Sequence, residues 1–268
     1  MVKINFKTDK EVNFLMVLYQ MIKKQNSFEN LSFKGIFTLE KEDKIMIKNI
    51  IRNKANILEA IKQNQKLNLL YRDNKKVWEE YWNTNKHKLL EIKELLEQKA
   101  SKYDFLIFEK VGAFFNFKGP EEINFYICMG NEVEAGTGNA FPPNFVAIFP
   151  RNFKKYSDKL IKADFAVLIH EVMHLYQDMH GEEDKELREE VAKCFAPRGI
   201  LINEDKFNGN LGFYDKIKKS FQKKETYKDI RKDLFSLLHN TPLGDKQLNC
   251  GEVKNEKKSN FTRVVSKV

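Results

Sequence analysis

Three of the chain's five histidines fall within residues 167–181, VLIHEVMHLYQDMHG, and a glutamate follows the first of them. His170-Glu171-Val172-Met173-His174 has the pattern HExxH. On a helix, four residues advance by about 400°, so His170 and His174 project from one face, a turn apart. Two imidazoles placed this way can bind one tetrahedral zinc at nitrogen–metal distances of about 2.0–2.1 Å. Glu171 lies about 100° round the helix, where it reaches a water polarised by the metal rather than the metal itself. The metal lowers the pKa of that water. The carboxylate can then take its proton and later deliver it to a leaving amine. Val167-Leu168-Ile169 before the motif and Leu175-Tyr176 after it are uncharged, which implies a helix buried nearly all round. Imidazoles and a carboxylate inside such a helix are costly unless an ion compensates them. One zinc per chain is the expectation.

HExxH between uncharged flanks, on a helix that follows a group of strands, resembles the zincin metallopeptidases; the resemblance covers about Phe105–Phe195. It implies an α+β, zincin-like fold: a small mixed sheet whose edge strand packs on the HExxH helix, with helices before and after. It also implies an extended peptide substrate lying antiparallel to the outermost strand. Asn139-Ala140-Phe141 resembles the edge-strand segment of thermolysin, where the asparagine and the backbone of the next residue bind substrate main chain. Substrate-binding roles for Asn139 and Ala140 follow from that resemblance alone. By itself the segment also reads as a turn asparagine before Pro142-Pro143.

His180 gives the spacing HExxHxxxxxH of the metzincin peptidases. That group needs glycine where this chain has Gln177, so that the backbone can turn back toward the metal. The first glycine here is Gly181. In a continuing helix His180 lies about 15 Å along the axis from His170 and about 280° round from it. The resemblance to gluzincins implies instead a ligand glutamate on the next helix. There it has an apolar residue two positions on, a small one three on, and apolar ones five and six on. Counting from Glu189 gives Val191, Ala192, Cys194 and Phe195, a full match. Counting from Glu190 puts Lys193 at the small position, yet the short spacer after His174 leaves a slip to Glu190 open. Many gluzincins carry an acidic residue four beyond the ligand to orient a zinc histidine. Lys193 stands there in this chain, so another acceptor must hold that ring. Tyr176, Tyr214, Tyr227 and His239 are the candidates to stabilise an oxyanion opposite the metal.

These residues need elements to position them. A strand at Lys3–Phe6 is followed by helical periodicity through Val12–Ile22, about Lys41–Leu67 and Lys75–Lys99, and His87 reads as a surface residue on the last of these. Asp104–Phe117 and Glu122–Met129 are rich in β-branched and aromatic residues and read as strands split by Gly119-Pro120. A loop with Gly130, Gly136 and Gly138 leads to Asn139, and Asn144–Phe149 reads as a further strand. Ser157 or Asp158 is the expected N-cap of the HExxH helix, and Gly181 its stop. Helices follow at roughly Asp184–Phe195, Asn210–Lys223 and Tyr227–Leu238. The organisation implied is a mainly helical region over 1–100, a metallopeptidase domain over 101–240 and a flexible basic tail over 241–268.

At 268 residues, with 42% hydrophobic and 12% aromatic side chains, the chain can bury a substantial core. Its three cysteines, Cys128, Cys194 and Cys250, are too few and too scattered for a disulfide framework. With no apolar leader at the N-terminus and no membrane-length apolar run, the expected location is the cytoplasm. The formal charge is +9, of which the tail from Lys246 onward carries +4. No basic run is interleaved with aromatics, which argues against nucleic acid as partner. The expected function is zinc-dependent hydrolysis of peptide bonds in a peptide or protein substrate, with Glu171 as base and acid. Two alternatives stay open: zinc hydrolysis of another amide, and an inactive zincin-fold binding or regulatory module. The intact Glu171 weighs against the second. Cys250, in the tail, offers a thiolate that could occupy the metal's open position and hold the enzyme latent.

Overall fold

The computed structural model describes residues 2–23, 39–52, 59, 62–103, 107–129, 137–142, 144–150, 156–196, 199–201 and 210–239. The tail, with Cys250, lies outside them, as do Gly130, Gly136 and Pro143. Among the described residues the chain is mixed α and β, with nine helices and one four-stranded sheet. The strands are β1 (Lys3–Lys7), β2 (Glu122–Ile127), β3 (Thr137–Phe141) and β4 (Phe145–Phe149). The helices are α1 (Lys10–Lys23), α2 (Lys41–Arg52), α3 (Gln65–Asp73), α4 (Lys75–Ala100), α5 (Ile107–Phe114), α6 (Asp158–His180), α7 (Lys185–Phe195), α8 (Leu211–Lys223) and α9 (Tyr227–His239).

The sheet runs β1-β2-β4-β3. β1, β2 and β4 are parallel, with Lys3 opposite Glu122 and Asn124 opposite Phe145. β3 runs antiparallel to β4 and forms the outer strand, with Gly138 opposite Ile148 and Asn139 opposite Ala147. Every residue of β4 is buried, so both faces of the sheet are covered at its centre, as continuous apolar strands require. α6 packs on β3 and β4, while α4 packs on β1, β2 and α6. The first strand and the longest helix before residue 101 thus contribute to the layers that hold α6.

Two expectations about elements need correction. Asp104–Phe117 is not a strand: α5 occupies Ile107–Phe114, and residues 104–106 lie outside the described ones. Phe108, Val111 and Phe115 are buried while Glu109 and Lys110 are exposed. That is the helical period of three to four, hidden in a stretch whose aromatic content suggests a strand. The single helix expected over Lys41–Leu67 is interrupted. α2 is described over Lys41–Arg52, and the break is at Asn64, an extended residue that caps α3, its side chain accepting from the Leu67 amide.

α6 ends as its sequence directs. Gly181 adopts a left-handed φ of 82°, its amide donates to Asp178 O, and the Glu182 amide donates to Gln177 O. This is a Schellman closure, which glycine enters without steric cost. Three residues later Asp184 caps α7, its carboxylate accepting from the Leu187 amide at 2.8 Å. The short turn returns the chain so that α7 packs against α6. Glu182 fixes the turn from outside: its side chain is only 1% exposed and accepts two bonds from the Arg231 guanidinium and one from the Tyr227 hydroxyl.

Candidate metal centre

Between residues 163 and 178, α6 is fully buried except for one stripe: Ala163, Val167, His170, Glu171, His174 and Asp178. The helical repeat therefore puts the two histidines and the glutamate on the one face of α6 that opens outward. His170 Nε2 and His174 Nε2 stand 3.1 Å apart. α7 brings Glu189 to them, with Oε1 3.6 Å from His170 Nε2 and Oε2 3.3 Å from His174 Nε2.

Donor atoms about 2.05 Å from a tetrahedral ion stand about 3.3 Å from one another. The three observed separations bracket that value, and two imidazoles with one carboxylate are a donor set that zinc takes readily. Among the described residues, His170, His174 and Glu189 form the one histidine, cysteine and carboxylate group placed to hold a metal. The histidine side chains are 15% and 16% exposed and that of Glu189 is 45% exposed. The group is thus closed by protein on the α6 side and open to solvent on the α7 side.

The local electrostatics express a demand for positive charge. Hydrogen bonds from His170 and His174 hold the Glu189 carboxyl well below the usual carboxylate range, against the opposing effect of burial. Burial acts to lower the His170 pKa. The Glu189 hydrogen bond, the charges of Glu171 and Glu189, and the Ala196 carbonyl together outweigh it, and the net shift is upward. A shared proton or a cation would answer the same demand.

The ring nitrogens facing away from the group are both engaged. His170 Nδ1 lies 3.1 Å from Ala196 O, and His174 Nδ1 lies 2.9 Å from Gln177 Oε1. Neither partner was foreseen as such. The Ala196 carbonyl carries no side-chain signal, and Gln177 stood out only as a residue that keeps the helix going.

Glu171 lies directly beneath the outer strand. A β-carbon added to Gly138 would fall 2.3 Å from Glu171 Cγ, so glycine permits the strand to approach this closely. Gly138, expected in a loop, belongs to β3. Asn139 and Ala140 follow on the same strand, opposite Ala147 and Val146, and Ala140 is buried.

The other candidates have partners of their own. Glu190 is paired with Lys193 Nζ at 3.0 Å, and the same ammonium is 3.6 Å from Glu189 Oε1. The His180 ring packs against Phe115 and Tyr227. His239 Nε2 is 3.9 Å from Asp184 Oδ2, and its ring lies tilted against Phe235. The Tyr176 hydroxyl donates to Phe108 O within the core, and that of Tyr227 donates to Glu182. Tyr214 is half-buried on α8 beneath the Lys218 ammonium. No described helix is long and apolar enough to cross a membrane. Compared with family models, with curated proteins and with solved structures, the chain matches none.

Proposed function

We propose that this chain is a zinc-dependent metallopeptidase of the gluzincin type with a zincin-like fold, acting in the cytoplasm on a peptide or protein substrate. The observation that carries the reading is the spacing of His170 Nε2, His174 Nε2 and Glu189, at 3.1, 3.3 and 3.6 Å, beside a second carboxylate, Glu171, under the strand β3. A purely structural site needs neither Glu171 nor an open side.

His170, His174 and Glu189 would hold one zinc, which supplies Lewis acidity to water and to a carbonyl oxygen. Glu171, next to the first ligand on the open stripe of α6, takes a proton from the attacking water. The water oxygen forms a bond to the carbonyl carbon, the carbon–nitrogen bond breaks, and Glu171 returns the proton to the departing amine. Among the described residues β3 has β4 on one side and no strand on the other, so its outer edge can pair with an extended peptide main chain. Gly138, Asn139 and Ala140 would run beside that peptide, directly above Glu171. Burial of α6 against β3 and β4 keeps ligands and base on a rigid support.

The test combines metal analysis with hydrolysis of a random-peptide mixture by wild type and Glu171→Gln. The expected result is about one zinc per chain in both proteins, with cleavage in the wild type only. Wild-type protein without zinc, or undiminished cleavage by Glu171→Gln, would refute the proposal.

A further inference from the structure

Gln177 is fully buried and touches both halves of the metal centre. Its Oε1 lies 2.9 Å from His174 Nδ1, and its Nε2 donates to Arg188 O at 2.9 Å. The second contact settles the first. A backbone carbonyl can only accept, so the amide nitrogen must face Arg188 and the amide oxygen must face the ring. An amide oxygen can only accept in turn, so His174 Nδ1 carries the hydrogen. In the neutral ring the Nε2 that faces His170 and Glu189 then keeps its lone pair, the form a metal ligand needs.

Arg188 immediately precedes Glu189 in the chain, so the amide that sets the ring of His174 also grips the backbone of the third ligand. Arg188 reinforces the arrangement. Its guanidinium pairs with Asp178 Oδ1 at 2.6 Å and donates to Glu182 O at 3.3 Å, clasping the end of α6 to the start of α7.

We infer that Gln177 is the positioning residue of the metal centre: it fixes the metal-ready tautomer of His174 and couples that ring to the placement of Glu189. The inference rests on the metal-binding reading above. With Lys193 in place of an acidic orienting residue, each ring still has an acceptor, Ala196 O for His170 and Gln177 Oε1 for His174. Partners of ligand imidazoles commonly matter about 10–100-fold in metal affinity.

The experiment compares wild type, Gln177→Met and Gln177→Glu. Zinc affinity is measured by competition with a chromophoric chelator, and ligand geometry by the visible absorption of the cobalt-substituted proteins. Gln177→Met keeps the volume but offers no hydrogen bond. It should bind zinc about 10–100-fold more weakly and show an altered cobalt spectrum. Gln177→Glu restores an acceptor for Nδ1–H and should recover part of the loss. A purely structural role would lower the melting temperature and leave the cobalt spectrum of the loaded protein unchanged.

Nitrogen NMR of His174 in metal-free wild type, recorded with the ring neutral, serves even if a variant fails to fold; it should report hydrogen on Nδ1. Hydrogen on Nε2, or unchanged affinity and spectrum in Gln177→Met, would overturn the inference while leaving the metal site standing. A wild type that binds no zinc would remove both.

Discussion

Replacing Gly138 by alanine adds one methyl group at the point where the outer strand crosses the proposed base. The new carbon would stand 2.3 Å from Glu171 Cγ, 2.9 Å from Cδ and 3.0 Å from Oε1. Ordinary carbon–carbon contact is about 3.5–4.0 Å, so strand and side chain must part by about 1.2 Å or more. The backbone raises no objection of its own, because Gly138 is not among the residues with positive φ. The strand is held in register against β4, and α6 is buried on every side but one. The Glu171 side chain is therefore the part that yields. An error of 1 Å in a reacting group costs on the order of 10²-fold in rate, or about 2.7 kcal/mol of barrier. The three atoms nearest the added methyl all belong to Glu171 and none to His170, His174 or Glu189, so zinc content should stay at the wild-type level. The assay is cleavage of a peptide mixture alongside metal analysis of the same preparation. Full activity in Gly138→Ala would show that Glu171 does not work beneath this strand. Loss of zinc together with activity would show that the strand supports the ligands rather than the base.

Alanine at Glu189 should remove most of the zinc, while alanine at Glu190 or at His180 should leave the metal content unchanged; retention by Glu189→Ala with loss in either of the others would overturn the ligand assignment. Burial opposes the charge of Glu182, but its bonds with Arg231, the Asp184 amide and Tyr227 hold its pKa down to about 2, from an ordinary 4.5. A depressed carboxyl stabilises the fold above its unfolded pKa. About 3 kcal/mol should therefore be present above pH 4.5 and fade as pH falls toward 2. Denaturant melts of wild type and Glu182→Gln across that window should converge at low pH, and parallel curves would contradict the pairing. A β-carbon on Gly119 would fall 2.3 Å from the Tyr176 hydroxyl. Gly119→Ala should thus cost about 1–3 kcal/mol by overpacking, and an unchanged melting temperature would count against that packing.

The parts of the site legible in the sequence are those set by spacing along one helix. His170, Glu171 and His174 fall on one stripe because a turn is a turn in any protein, and Gly181 stops the helix for a reason local to its own φ. The choice of Glu189 over Glu190 rests on the resemblance to the gluzincin pattern and not on periodicity, which left a slip of one residue open; the structure sets Glu189 beside the rings and pairs Glu190 with Lys193. What could not be read is what depends on the third dimension. Gln177 orients His174 only because the Arg188 carbonyl, on another helix, fixes its amide, and a glutamine announces no such partner. Gly138 is visible as a glycine, but its close approach to Glu171 appears only once the strand is laid over the helix. Tyr176 and Tyr227 are plausible donors in the sequence, yet the core and Glu182 take their hydroxyls. α5 was obscured by its phenylalanines, whose strand preference the surrounding packing overrides.

The pairing of β1 with β2 has a consequence for how the molecule comes into being. Asn5 and Asn124, hydrogen-bonded across these neighbouring strands, are 119 positions apart in the chain. At a synthesis rate of about 5–20 residues per second, the first strand waits roughly 6–24 s for its partner to be made. Until then its apolar residues and those of α1 have no sheet to cover, and helices α1 to α5 must assemble without one or remain loosely packed. Folding on the ribosome should therefore show a long interval of helix without protected sheet amides, followed by cooperative closure once β4 and α6 have emerged. Long-range parallel pairing of this kind is slow to form and exposes sticky surface meanwhile. Its yield should thus respond to chaperones and to growth temperature more strongly than the stability of the finished protein does.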